Sequence, residues 1–112
     1  MAQIKIAEYT FDNSVGDVMP SLTPNTITMT KEDSVSGTTT RRIVYIDNAT
    51  MPTRLHFENK ANLLAVEYID DTNISNYTYM FSGCTNLTSV NTDNWNTSNA
   101  QSFTYMFYNC NK

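Results

Sequence analysis

This chain has one histidine, two cysteines, three glycines, three prolines and one tryptophan among its 112 residues. Each scarcity excludes something. Zinc sites draw three or four ligands from Cys, His and carboxylates. His56 is the only imidazole here, so no metal and no cofactor are expected. A catalytic His needs a nucleophile and an orienting group beside it. Nothing around His56 supplies them, so no catalytic residue is expected and His56 reads as a partly exposed structural side chain. Charged residues make up only 16%, with a net charge of -4. A nucleic-acid binder carries a basic stripe, whereas the one basic cluster here, Arg41-Arg42, reads as a solvated strand end. No nucleic-acid partner is expected. No stretch has the apolar length of a membrane span, so no membrane insertion is expected. The opening "MAQIKIAEYTFDN" does not show the charged start and apolar run of a secretory signal.

Asn, Thr and Ser take the place of the missing charge, and they favour turns and local side-chain-to-backbone bonds. With 40% hydrophobic residues the chain should still fold. What it does contain is a repeat. "YTYMFSGC" (77–84) and "FTYMFYNC" (103–110) place Tyr79 on Tyr105, Met80 on Met106, Phe81 on Phe107 and Cys84 on Cys110, at an offset of 26. Thr72-Asn73 falls on Ser98-Asn99. One unit earlier the offset is 24: Phe57 falls on Phe81, Asn62 on Asn86, Leu63 on Leu87 and Val66 on Val90. The chain thus carries one degenerate unit, one full unit and the start of a third.

A period of this length with a Leu-x-x-Val core lies in the leucine-rich-repeat range. In "NLLAVEYI" and "NLTSVNTD" the Leu and Val point inward. Ala65, Glu67 and Ile69, and likewise Ser89, Asn91 and Asp93, alternate outward on short strands stacked in parallel. Tyr77, Met80, Phe81 and Cys84 follow the i, i+3, i+4, i+7 stripe of a short helix. Asp70-Asp71 reads as a turn and helix cap rather than an acid–base pair. The first half differs. "AQIKIAEYTF" alternates as a strand. "NTITMTKED" and "TTTRRIVYID" read as an antiparallel hairpin turning at Ser34-Val35-Ser36-Gly37. Residues 1–50 are expected to form an N-terminal β cap and residues 51–112 the repeats, in a mixed, β-rich fold with short helices.

The stretch "NWNTSNAQSFTYMFYNC", with "DDTNISNYTYMFSGC" before it, resembles the BspA-like leucine-rich repeats of bacterial surface proteins. The resemblance covers residues 55–112 and departs at Ala100-Gln101 and at Thr92. It implies a right-handed solenoid of short parallel strands after the β cap. It also implies a binding role, adhesion-like, at an extracellular or cell-surface location. Similar repeats in proteins of phage or mobile-element origin give the alternative of a structural component of a phage tail or comparable particle.

Cys84 and Cys110 occupy equivalent positions and read as buried thiols, with a mutual disulfide as the alternative. Calcium held by Asp47, Asp70, Asp71 and Asp93 would use suitable oxygen ligands, but no loop pattern supports it. Trp95 falls where the second unit is two residues longer. It either plugs the gap or stands out as an anchor for a partner. Asn-x-Ser/Thr occurs at Asn48, Asn73, Asn76, Asn86 and Asn96 and reads as turn chemistry rather than glycosylation. The resulting expectation is a non-enzymatic interaction module for a protein or glycan ligand, with Glu67, Ser89, Asn91, Asp93 and Trp95 as its partner surface. The third unit breaks off where a strand should begin. The chain is therefore expected to be part of a longer repeat protein, or to self-associate through that open edge, with Met106 and Phe107 beside it.

Overall fold

The computed structural model describes residues 3–47, 50–95, 97 and 100–110. The sequons at Asn48 and Asn96, the repeat positions Ser98 and Asn99, and the expectations for Asn111 and Lys112 lie outside these residues. Five strands form the main sheet: β1 (Gln3–Asp12), β3 (Met29–Ser36), β4 (Thr39–Asp47), β6 (Leu63–Ile69) and β7 (Ser89–Val90), in the order β3-β4-β1-β6-β7. All pairs are antiparallel except β6–β7, which is parallel. A second, two-stranded sheet pairs β2 (Ser21–Thr23) with β5 (Arg54–His56).

The expected hairpin is present, but it turns later than expected. β3 continues to Ser36, which pairs with Thr39, leaving Gly37-Thr38 as a two-residue loop. Gly37 has φ +61° at the first loop position, where a type II′ turn demands a positive value and glycine supplies it without strain. On β4, Thr40, Arg42, Val44 and Ile46 face the interior in strict alternation. Arg42 therefore corrects the reading of Arg41-Arg42 as a solvated pair, because only Arg41 is exposed. Arg42 is 3% exposed and forks onto Asp33 at 2.7 and 2.9 Å. It reaches Asp17 at 2.7 Å and the Val18 carbonyl at 3.1 Å, with its guanidinium over the Phe11 ring. A buried cation persists only when its donors are met this way.

β6 does not keep the alternation expected of it. Its pairing with β1 slips at Phe11/Thr10 and again at Tyr9/Glu8. Leu64 and Glu67 are the extra residues at these bulges, so Leu63, Val66 and Ile69 all face the core. Ile69, expected to point outward, is fully buried. Each bulge resets which face the following residues occupy.

The expected mixed fold of an N-terminal β cap, short helices and a right-handed leucine-rich-repeat solenoid is thereby corrected. The protein is a small all-β globule around one five-stranded mixed sheet, 35 × 32 × 26 Å, with no helix among the described residues. β1, from the N-terminal half, lies at the sheet's centre between β4 and β6. The aromatic stripe forms turns rather than a helix, for the reason set out below. Among the described residues no helix is long and apolar enough to cross a membrane.

Candidate functional site

The helical stripe at 77–84 fails because the backbone changes hand within it. Tyr79 and Gly83 have φ of +59° and +75°, in the left-handed region that a right-handed helix cannot contain. Asn59, Tyr105 and Asn109 repeat this conformation at the equivalent places in the flanking copies. Gly and Asn adopt it at least cost, which accounts for the Asn59, Gly83, Asn109 column.

The alternation divides the amide groups into two sets. Met80, Ser82 and Cys84 donate to the carbonyls of Tyr77, Tyr79 and Phe81, three residues back, at 3.1–3.2 Å. The intervening amides leave the copy. Tyr77, Tyr79, Phe81 and Gly83 donate to the carbonyls of Ser102, Thr104, Met106 and Tyr108 at 2.8–3.0 Å. Phe57 and Asn59 donate likewise to Met80 and Ser82. Bonds also return to the preceding copy, from the Ser75 and Asn76 amides to the Thr53 carbonyl, from the Gln101 amide to the Ser75 carbonyl, and from the thiols. The Cys84 thiol donates to the Phe57 carbonyl at 3.1 Å, and the Cys110 thiol to the Phe81 carbonyl at 2.8 Å.

Rings stack along the same direction. Phe57, Phe81 and Phe107 form a column with centroid steps of 6.1 and 5.5 Å and nearly parallel planes. Tyr79 stacks on Tyr105 and Tyr77 on Phe103. The Tyr77 hydroxyl donates to Asp71 Oδ2 at 2.8 Å inside the protein, and burial first, then this carboxylate, pushes its pKa up. Asp71 thus serves Tyr77, and Asp70 closes a turn by accepting from the Thr72 amide and hydroxyl. There is no helix for either to cap.

The third copy ends the columns. Phe103, Tyr105, Phe107 and Tyr108 are 50–55% exposed. The amides of Phe103, Tyr105, Phe107 and Asn109, which match the donors of the second copy, have no hydrogen-bond partner among the described residues. A groove of about 250 Å³ runs beside them, lined by Leu87, Thr88, Ser89, Val90, Phe107 and Cys110. Cys84 is a buried free thiol whose pKa burial pushes up to about 12. Cys110 is also free and only half-buried. Of the edge residues expected from sequence, Phe107 is exposed but Met106 is buried. Phe103, Tyr105 and Tyr108 were not anticipated. The signal for the first two was present, because they align with Tyr77 and Tyr79, whose rings another copy covers.

The residues expected to form a partner surface are only partly brought together. Ser89 lines the groove. Asn91 and Asp93 follow it, exposed, with Asn91 Oδ1 accepting from the Asp93 amide at 2.9 Å. Glu67 lies one strand inward, half-buried, accepting from the Thr10 hydroxyl at 3.0 Å. Trp95 is half-buried with its ring 5.8 Å from that of Tyr77. His56 is half-buried, its Nδ1 accepting from the Glu58 amide at 3.4 Å. Burial, then the Arg54 charge, holds its pKa below the usual imidazole value. Among the described residues no three His, Cys, Asp or Glu side chains converge as a metal site, the four aspartates included.

Residues 47–112 match the family described as Mycoplasma protein of unknown function, DUF285. That is more than half of the chain, which belongs to this family. The finding corrects the resemblance to BspA-like leucine-rich repeats, since the family matched is DUF285 and not a leucine-rich repeat. No curated protein and no solved structure matches the chain.

Proposed function

We propose that this member of the DUF285 family is a non-enzymatic interaction module that binds a protein or glycan at the exposed face of its third aromatic copy. One observation carries the reading: four half-exposed aromatic side chains stand together in the third copy, which itself covers Tyr77, Tyr79 and Phe81 of the second. Exposed apolar patches of this kind mark interaction sites. Aromatic residues dominate the energetic centres of interfaces, combining large apolar area with few rotatable bonds. The amides of Phe103, Tyr105, Phe107 and Asn109, without a partner among the described residues, add direction, because a partner that covers them must offer acceptors or leave them unsatisfied. Ser89, Asn91 and Asp93 supply a polar rim, the usual surround of such a centre.

The test is a binding array of glycans and proteins probed with wild-type chain and with the double variant Tyr105→Ala/Phe107→Ala. Both rings are half-exposed, so the fold should survive. The reading expects hits that weaken by about tenfold or more in the variant, the loss typical of interface anchors. Hits that the variant retains at full strength would place binding elsewhere on the molecule.

A further inference from the structure

The edge of the third copy is more selective than an apolar patch, and the two interfaces already inside the molecule show what it selects. Between the first and second copies, and again between the second and third, the same contact is made. Outgoing amides at alternate residues meet carbonyls of the next copy, two from the first copy and four from the second, and rings lie flat on their equivalents, Phe57 on Phe81 and then Tyr77, Tyr79 and Phe81 on Phe103, Tyr105 and Phe107. The third copy presents the first half of that contact again. The amides of Phe103, Tyr105, Phe107 and Asn109 continue the donor series of Tyr77, Tyr79, Phe81 and Gly83. The Phe107 carbonyl stands where those of Phe57 and Phe81 accept a thiol. From these features we infer that the occupant of this edge is a partner polypeptide carrying the same aromatic turn, laid on the third copy as a fourth layer in register. The inference rests on the proposed binding role and narrows its ligand from a protein or glycan to a polypeptide of this chemistry.

Two observations argue against the simplest other occupant, a second copy of this chain. A two-fold pairing of third copies would set outgoing amides against outgoing amides, and two rows of donors cannot bond each other. A head-to-tail contact would need the far side of the first copy, and β2 already pairs with Arg54–His56 there. A glycan could stack on one ring. It does not offer a row of acceptors at the peptide repeat together with three flat rings.

The experiment titrates isotope-labelled full chain with the peptide Ser-Phe-Thr-Tyr-Met-Phe-Tyr-Asn-Ser, which is 102–110 of this sequence with Ser in place of Cys110. The layered arrangement expects resonance shifts centred on Phe103, Tyr105, Phe107 and Asn109. It also expects amide exchange at those four positions to slow by about tenfold or more at saturation, as newly bonded amides do. A peptide with its four aromatic residues changed to Ala, or the protein variant Phe107→Asp, should weaken binding by at least about tenfold. Peptide binding away from these amides, or none, overturns the inference. If a glycan from the array shifts the same four amides while the peptide does not, the polypeptide layer is wrong and the binding face stands. If neither ligand perturbs them, both fail. A mass of two chains in dilute solution without peptide would assign the edge to a second copy and also overturn the inference.

Discussion

Phe81 sits between Phe57 and Phe107 with both ring faces covered and no solvent exposure. Removing it takes away a full aromatic volume and opens a cavity that two stacked neighbours cannot close. Phe81→Ala should cost about 3–5 kcal/mol in urea denaturation, in the range for large core aromatics. Phe107→Ala should cost no more than about 1 kcal/mol, because one face already meets water. Equal losses would contradict the column. The thiols form a similar pair. Burial disfavours both thiolates, but Cys84 is fully enclosed while Cys110 is half-buried at the groove. Since the thiolate is the reactive form, a thiol reagent near neutral pH should add once to the native protein, at Cys110, and twice after denaturation. Two native adducts would show that Cys84 is exposed. The Phe column was legible from sequence, because a constant offset places one Phe per copy at one depth. The burial of Arg42 was only half legible. Strand parity with Val44 and Ile46 aims it inward, but its partners Asp33 and Asp17 come from another strand and a loop, which no local pattern can position.

At the scale of elements, the aromatic stripe of residues 77–84 fits a helix and a chain of alternating turns equally well, since both bury Tyr77, Met80, Phe81 and Cys84. What separates them is the hand of the backbone at Tyr79 and Gly83, and the destination of every second amide. Gly83 is the sequence signal that was available, and Tyr79, a residue that seldom adopts positive φ, gave none. A Cβ at Gly83 would lie 2.5 Å from Asn59 Oδ1 and 3.1 Å from Asn59 Cα, on a backbone at φ +75°. Gly83→Ala should therefore destabilise the protein by about 1–3 kcal/mol, the cost of a strained backbone position. Asn109→Gly, at the same place in the exposed copy, should be neutral within about 0.5 kcal/mol in the same denaturation assay. A tolerated Gly83→Ala would argue for the helix after all. Ile69 shows another limit of pattern reading. Bulges at Leu64 and Glu67 shift the face of everything after them, and they arise from pairing with β1, more than fifty residues away in the chain.

For the whole molecule, the sheet order puts the N-terminal strand at the centre and the repeats to one side, ending at β7. The parallel pairing of β6 with β7 and the 24- and 26-residue offsets were legible, because equivalent residues in stacked copies must meet in register. The place of β1 was not, because long-range antiparallel pairing leaves no periodic trace. The residues expected to form a partner surface do not all lie together. Ser89 lies at the groove, whereas Glu67 and Trp95 are half-buried against the protein's own groups. The central claim is that two copies of one motif differ in what covers them: the second is closed by the third, and the third has nothing over it among the described residues. Residue-resolved amide hydrogen exchange on the unliganded chain tests this most directly. The account predicts slow exchange at Tyr77, Tyr79, Phe81 and Gly83, whose amides are bonded to the third copy, and fast exchange at Phe103, Tyr105, Phe107 and Asn109. Equal protection of the two sets would contradict it.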